Sequence, residues 1–303
     1  MKAVSSPHIR RSLTKPRVMW EVVAALVPAA SFGVWYFGPA ETLPQLAAAI
    51  VAAVAAQAIV ERLRHRPITI MDGAPFLTGL ILGMSLPPGL NPLIAAAGGA
   101  VATGVIKAFV TTSTGRSLLN PAMAARVLIV SEFLVPMTTF PVDAVSEATP
   151  LGAASRPGYL DMFFGTRGGS IGETTTILLL LGGAYLLWRG IIRWHLPAAY
   201  LVGVAATSVV LGRQPLFDLL AGASIMTAFF IVTDPTTSPA TVPGRVGFGL
   251  GAAAIGTFIR ITTLFPTGEA LGVVLANFAT PFIDRVVTNR VYGTRKQGRR
   301  APA

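Results

Sequence analysis

The polar stretch Asp143-Ala144-Val145-Ser146-Glu147-Ala148-Thr149-Pro150 separates two long hydrophobic arrays and carries a threonine just before its closing proline. A threonine hydroxyl is a weak nucleophile at neutral pH. Chemistry at Thr149 would therefore need an activating group beside the hydroxyl. The ordinary reading of a loop threonine before a proline is a turn residue. A second set of groups is acidic: Glu21, Asp72, Glu132, Glu173, Asp218 and Glu269 lie in or at the ends of apolar runs. Desolvating a carboxylate is costly, so an ionisable group inside a membrane is a functional candidate by default. Glu21 and Glu132 sit where a helix end would reach water. Lys107 and Arg260 are basic groups in comparable settings, where snorkelling is the common role. There is no cysteine, which excludes disulfides, iron–sulfur ligation and thiol chemistry in this chain. His8, His65 and His195 do not pair at ligand spacing, so no haem or zinc site is expected, and no metal site is assigned.

The elements that must position these groups are membrane helices. The chain has 303 residues, of which 52% are hydrophobic and 12% charged, about half the charged share of a soluble domain. Mean hydropathy is +0.64. Ten apolar segments are predicted, at 18–38, 43–60, 69–86, 92–111, 117–135, 173–189, 195–212, 216–233, 244–262 and 266–284. They divide the chain into a basic cytoplasmic tail (1–17), a first membrane repeat (18–135), an extracytoplasmic loop (136–172), a second membrane repeat (173–284) and a basic cytoplasmic tail (285–303). The fold class expected is an all-α polytopic membrane protein, with about ten transmembrane segments as two inverted five-helix repeats. The net charge of +11 does not point to nucleic acid, because the basic residues cluster at the termini and in one short loop, Arg62, Arg64 and Arg66. With both termini inside, nineteen Lys and Arg fall on cytoplasmic segments and four outside, the bias of a membrane protein so oriented. The N-terminal segment reads as a retained tail rather than a signal peptide, since no small-residue cleavage site follows a short apolar run.

Three landmarks suggest that the halves are related. Thr78 aligns with Thr227, Lys107 with Arg260, and Asn120 with Asn277. Five spans per copy is an odd number, so the second copy would be inverted. Such repeats place sites on broken helices. The breaks are visible as Ser85-Leu-Pro-Pro-Gly-Leu-Asn-Pro92, Asn120-Pro121, Thr233-Asp-Pro-Thr-Thr-Ser-Pro239 and Phe265-Pro266. Proline removes a donor and frees carbonyls, which lipid tolerates only where protein or a cavity satisfies them. The third and eighth segments are expected to be paired, partly re-entrant half-helices. Gly79-x-x-x-Gly83 and the Gly247/Gly249/Gly251 run read as close helix packing.

These motifs, taken in order, resemble the RnfD/NqrB family of membrane redox subunits over nearly the whole chain, and RnfD more closely. Ser6-Pro-His-Ile9 precedes the first span. Asn120-Pro-Ala-Met123 with Arg126, Pro136-Met-Thr138, Gly172-Glu-Thr174, Thr233-Asp-Pro235 with Thr237-Ser-Pro239, and Pro281-Phe-Ile-Asp284 follow. Asp143 to Thr149 is similar to the family's flavin-attachment pattern D-x-x-S-G-A-T, with Glu147 where glycine is usual. The resemblance implies FMN esterified through its phosphate to Thr149, with Asp143, Ser146 and Ala148 completing the motif. It also implies cofactor-binding roles for Asn120, Glu173, Thr174, Thr233 and Asp234, and a noncovalent riboflavin in the membrane domain; for Lys107 and Arg260 the alternative to snorkelling is contact with a flavin phosphate or ring. It implies, further, an electron-transfer subunit of a Na⁺- or H⁺-translocating complex in the bacterial inner membrane. The partners implied are sister membrane subunits, an extracytoplasmic FMN-bearing subunit, a flavin transferase and the lipid bilayer. The rival reading is a small-solute transporter or channel without flavin, which the same broken-helix architecture would serve. A carrier has no need of the Asp143–Thr149 motif.

Overall fold

The first two helices are separated by a single residue. α1 (Lys15–Phe37) ends at Gly38, whose φ of +91° turns the chain directly into α2 (Pro39–Leu63), a conformation costly for any residue with a β-carbon. The structure is a computed structural model that describes residues 14–112, 116–138, 158–165, 168–263 and 267–287. The described residues are helical throughout, and their one β-type pairing is an isolated bridge between Thr111 and Ser117.

After a 3-10 turn at Ile70–Asp72 come α3 (Ala74–Met84), α4 (Pro92–Val110) and α5 (Pro121–Glu132), with a short α6 (Leu134–Thr138). Asn-Pro pairs start both α4 and α5. The Asn91 side chain accepts from Leu93 N at 2.9 Å, and Asn120 accepts from Ala122 N and Met123 N at 3.1 and 3.2 Å. Each proline sits at the first helical position, where its missing N–H costs nothing. Beyond the loop lie α7 (Tyr159–Phe164), α8 (Thr176–Trp188), α9 (His195–Val210) and α10 (Pro215–Leu220). The short helix α11 covers 224–231, and α12 (Val242–Thr263) and α13 (Gly268–Val286) complete the chain.

Helices stand in all ten predicted segments, but their lengths divide them. Four are long and apolar enough to cross a membrane: α1, α2, α4 and α12. The chain is a multi-pass membrane protein on that basis. α3, with 11 residues, reaches only about 16 Å at ~1.5 Å per residue, half of a ~30 Å hydrocarbon core. α11 is shorter still. Both end at the proline breaks read from the sequence. Exposed Trp20, Trp188 and Trp194 mark one end of the bundle and Trp35 the other, as aromatic side chains do at membrane interfaces.

Packing follows small residues. α2 lies along α3 and α4, α9 along α12, α12 along α13, and α1 along α8. Gly79 and Gly83 bring α3 against the α2 backbone at Ile50 and Leu46, as expected. Of the Gly247/Gly249/Gly251 run only Gly249 does so, against α9, while Gly247 and Gly251 face open space. Of the three repeat landmarks, Thr78 and Thr227 both lie early in half-length helices, and Lys107 and Arg260 both lie one turn from a helix end. The third pair does not correspond. Asn120 caps the start of α5, whereas Asn277 is buried in the middle of α13. A similar Leu-x-Asn triplet, before a helix in one half and inside one in the other, does not fix register.

Candidate functional site

The two ends of the bundle carry different chemistry. The first end holds the start of α1. There, a cavity of about 180 Å³ opens among α1, α3, α4, α5 and α11. Its polar wall includes Lys15, Lys107, Thr111, Asn120, Thr233 and Asp234, and its apolar wall includes Met19, Val22, Ile81 and Phe230. Two local distortions shape it. α4 carries a π-turn at Val101–Lys107, and α11 carries another at Thr227–Ile231. π-turns widen a helix and occur often at functional sites. Lys107 ends the first and Phe230 lies in the second, so both distortions face the same space.

The polar wall is held from several sides. Lys107 Nζ donates to Gln57 Oε1 at 2.7 Å. Asp234 Oδ1 accepts from Thr236 N and Oγ1 at 2.9 and 2.8 Å, the turn an aspartate makes with the backbone two residues on. Thr233 Oγ1 donates back to Phe229 O at 2.7 Å. Ser117 N donates to Thr236 O at 3.1 Å, which draws the segment before Asn120 onto the Thr233-Asp234-Pro235 break. Arg116 clamps the same junction, reaching Asp284 at 2.8 Å and Ser238 O at 3.0 Å. Lys107 and Asp234 both line the cavity, one from α4 and the other from the break after α11. The Thr111 hydroxyl is buried without a partner.

The opposite end, where α5 and α6 finish and α8 begins, holds a buried ionic network. Arg260 Nη1 pairs with Glu269 and donates to Ser224 Oγ at 2.9 Å, and its Nη2 donates to Asp218 O at 2.9 Å. Asp218 also takes Arg213 at 3.2 Å, and Glu269 accepts from Ser224 Oγ at 2.6 Å. Arg126 and Glu173 form a further buried pair at 3.5 Å. Six charges, three of each sign, are thus compensated where water is scarce. Burying them is costly, and each requires its partner. Gly222, with φ +63°, lies in the break between α10 and α11, directly beneath Arg260 and Glu269.

The predicted site residues therefore separate. Asn120, Thr233 and Asp234, more than a hundred positions apart, share one cavity. Glu173 and Thr174 are buried at the other end, where Thr174 Oγ1 donates to Ile171 O at 3.2 Å. Arg260 goes with them, and Lys107 with the cavity. Asp143, Ser146, Glu147, Ala148 and Thr149 lie outside the described residues. Glu21 serves as a strap between α1 and α8, accepting from Arg189 at 2.8 and 2.5 Å, Arg17 at 3.1 Å and Tyr185 at 3.2 Å. Sequence reasoning missed the two π-turns and the grouping of Arg213 and Ser224 with Asp218, Arg260 and Glu269. Asp218 and Glu269 stood out as acids in apolar segments, but nothing in their spacing announced a shared partner.

Comparison with known proteins bears on what these sites serve. The family model for the NQR2, RnfD, RnfE family matches residues 2–293. The chain is 39% identical to a subunit of the proton-translocating ferredoxin:NAD(+) oxidoreductase complex of Clostridium ljungdahlii, over 96% of both chains. It is 34% identical to a subunit of the Na(+)-translocating ferredoxin:NAD(+) oxidoreductase complex of Acetobacterium woodii, over 99% of this chain and 97% of that one. A subunit of the ion-translocating oxidoreductase complex of Halorhodospira halophila is 35% identical, over 97% and 96%.

Proposed function

The chain belongs to the NQR2, RnfD, RnfE family, and from that premise we propose that it is the membrane-embedded electron-transfer subunit of an ion-translocating ferredoxin:NAD⁺ oxidoreductase complex. On this reading it carries FMN on Thr149 at one membrane face and holds a second, noncovalent flavin, riboflavin, in the cavity at the other. Ten segments in two inverted five-helix repeats form the scaffold. Both termini are cytoplasmic and residues 136–172 extracytoplasmic, in keeping with the charge bias. The proposed partners are the sister membrane subunits, an extracytoplasmic FMN-bearing subunit and a flavin transferase. The relatives' names include both a proton and a sodium translocator, so kinship leaves the ion open between the two. The carrier reading gives way to this kinship.

The observation that carries the cofactor assignment is the composition of the cavity. Asn120, Thr233 and Asp234 converge on it together with Lys107 and the unpartnered Thr111 hydroxyl, facing an apolar wall. A flavin ring is flat and apolar across its faces and polar at its edges, and these walls suit it. The group, when bound, supplies reversible one- and two-electron chemistry. The chain's own residues do the rest. Met19, Val22, Ile81 and Phe230 exclude water from the ring faces. Lys107, held by Gln57, and Asp234, held by Thr236, present fixed charges to a polar edge. Asn120 has its Oδ1 committed to capping α5, and its amide N–H₂ is the group it would offer. At the other end, the compensated Arg–carboxylate network ties α10, α11, α12 and α13 together. The Thr149 hydroxyl contributes only the oxygen of the phosphoester.

Two measurements test this reading. With an active transferase co-expressed, the peptide containing Thr149 should gain the mass of FMN less water, and Thr149→Ala should abolish denaturation-resistant flavin fluorescence. Flavin released by denaturing the Thr149→Ala protein reports the noncovalent site. It should be present there and fall several-fold on Asp234→Asn or Asn120→Ala. An unmodified Thr149 peptide would end the covalent assignment, and undiminished release from the cavity variants would end the noncovalent one.

A further inference from the structure

A second cavity, of about 280 Å³, adjoins the first at the end of the bundle where α1 begins, sharing Lys15, Lys107 and Thr111 with it. It lies between the ends of α2 and α4, and Arg64 and Arg66 line this cavity but not the first. Four cationic side chains line it, Lys15 among them already paired with Asp72 at 2.7 Å, against one lining acid, Glu61. That acid is already committed: Glu61 Oε2 accepts from Thr69 N at 2.7 Å, and Oε1 accepts from Thr69 Oγ1 at 2.5 Å and Gln57 Nε2 at 2.9 Å. Arg64 is fixed across the gap between the helices. Its Nη1 donates to Ala108 O at 2.7 Å and its guanidinium lies 5.4 Å from the centre of the Phe109 ring. Beside the cavity, the outer faces of the same two helices expose Ile59, Leu63, Val105 and Phe109, the last 78% exposed.

We propose that this cavity binds the phosphate of an anionic phospholipid, whose acyl chains lie on the exposed face of α2 and α4. The position at helix ends places the cations at headgroup depth, and a basic pocket between helix ends there attracts anionic headgroups. The apolar ridge distinguishes a lipid from a soluble anion, which would have no use for it. The proposal rests on Arg64 and Arg66, which do not line the first cavity, and not on Lys107, which the flavin reading uses.

The test uses the full-length protein purified with its co-expressed complex in mild detergent. Retained phospholipid is measured by mass spectrometry, and thermal unfolding is followed in nanodiscs of phosphatidylcholine with and without phosphatidylglycerol. Wild type and Arg62→Gln, a neighbouring charge outside the cavity, should retain phosphatidylglycerol. Arg64→Gln/Arg66→Gln should lose at least five-fold of it. Arg66→Gln alone, at an exposed position, serves if the double variant fails to fold. Phosphatidylglycerol should raise the unfolding midpoint of wild type, and Arg66→Gln should blunt that rise. Equal retention in all variants, or equal loss in Arg62→Gln, would overturn the proposal. Inorganic phosphate that protects as well as phosphatidylglycerol would reassign the site to a free anion. Flavin lost together with lipid would make the cavity part of the cofactor site. A Phe109→Cys cross-link to a sister subunit would put protein where the lipid is proposed.

Discussion

Lys107 and Arg260 sit at similar distances from the ends of their helices and have opposite kinds of neighbour. Lys107 is held by a neutral amide and faces a cavity. Arg260 is enclosed by Glu269, Asp218 and Ser224. Removing one partner of such a pair leaves a charge buried and uncompensated, which costs about 3–5 kcal/mol. Glu269→Leu should therefore lower the thermal midpoint of the solubilised protein sharply. Arg260→Met combined with Glu269→Leu should lose less than the two single changes summed, as read by heating followed by size-exclusion chromatography. Additive losses would show that the pair does not act as a unit. At Glu147 the expectation has the opposite sign. Glu147→Gly restores backbone freedom and removes a negative charge near the phosphate to be attached. The fraction of Thr149 peptide carrying FMN should rise or hold, and a fall would count against the motif reading. Glu173 shows how far residue types alone could lead. Its acid in an apolar setting marked it as a candidate, but whether it faced a cofactor or a buried arginine depended on Arg126, 47 positions away.

The half-length helices α3 and α11 were legible as elements because prolines mark their ends. Their distortions were not. A π-turn follows from how a helix is crowded by its neighbours rather than from any local residue pattern, and both π-turns lie against the same cavity. The break before α11 supplies a prediction about backbone conformation. Gly222 has φ +63° and would place a β-carbon 3.3 Å from Arg260 Nη1. Gly212, with φ +68°, has open space around it. Alanine at either position takes on the cost of a left-handed backbone, about 1–2 kcal/mol. Gly222→Ala must in addition displace the arginine from its partners. It should destabilise clearly more than Gly212→Ala in thermal unfolding. Equal effects would mean that the ionic network adapts freely.

For the molecule as a whole, orientation is the property most exposed to test. The chain has no cysteine, so each introduced thiol is unique. With termini inside and residues 136–172 outside, Ser155→Cys should react with an impermeant thiol reagent in intact cells, and Ser5→Cys only after lysis. Labelling of Ser5→Cys from outside would invert the arrangement and exchange the faces to which the cavity and the ionic network belong.

Hydrophobicity and proline determined the helices, because apolar length and missing donors act locally and leave their mark in any window of the chain. The motif order determined the family, since six short matches in register over nearly the whole length do not arise independently. Tertiary structure alone decided which polar residues meet. Asn120 joined Thr233 and Asp234, while Glu173 and Arg260 went to the opposite end beside Arg126, Asp218 and Glu269. It also dissolved the Asn120–Asn277 correspondence by placing one at a helix cap and the other inside a helix. The physical reason is the same in each case. A buried charge or amide is satisfied by whichever partner packing brings within about 3 Å, and that partner's place in the chain carries no trace of the contact.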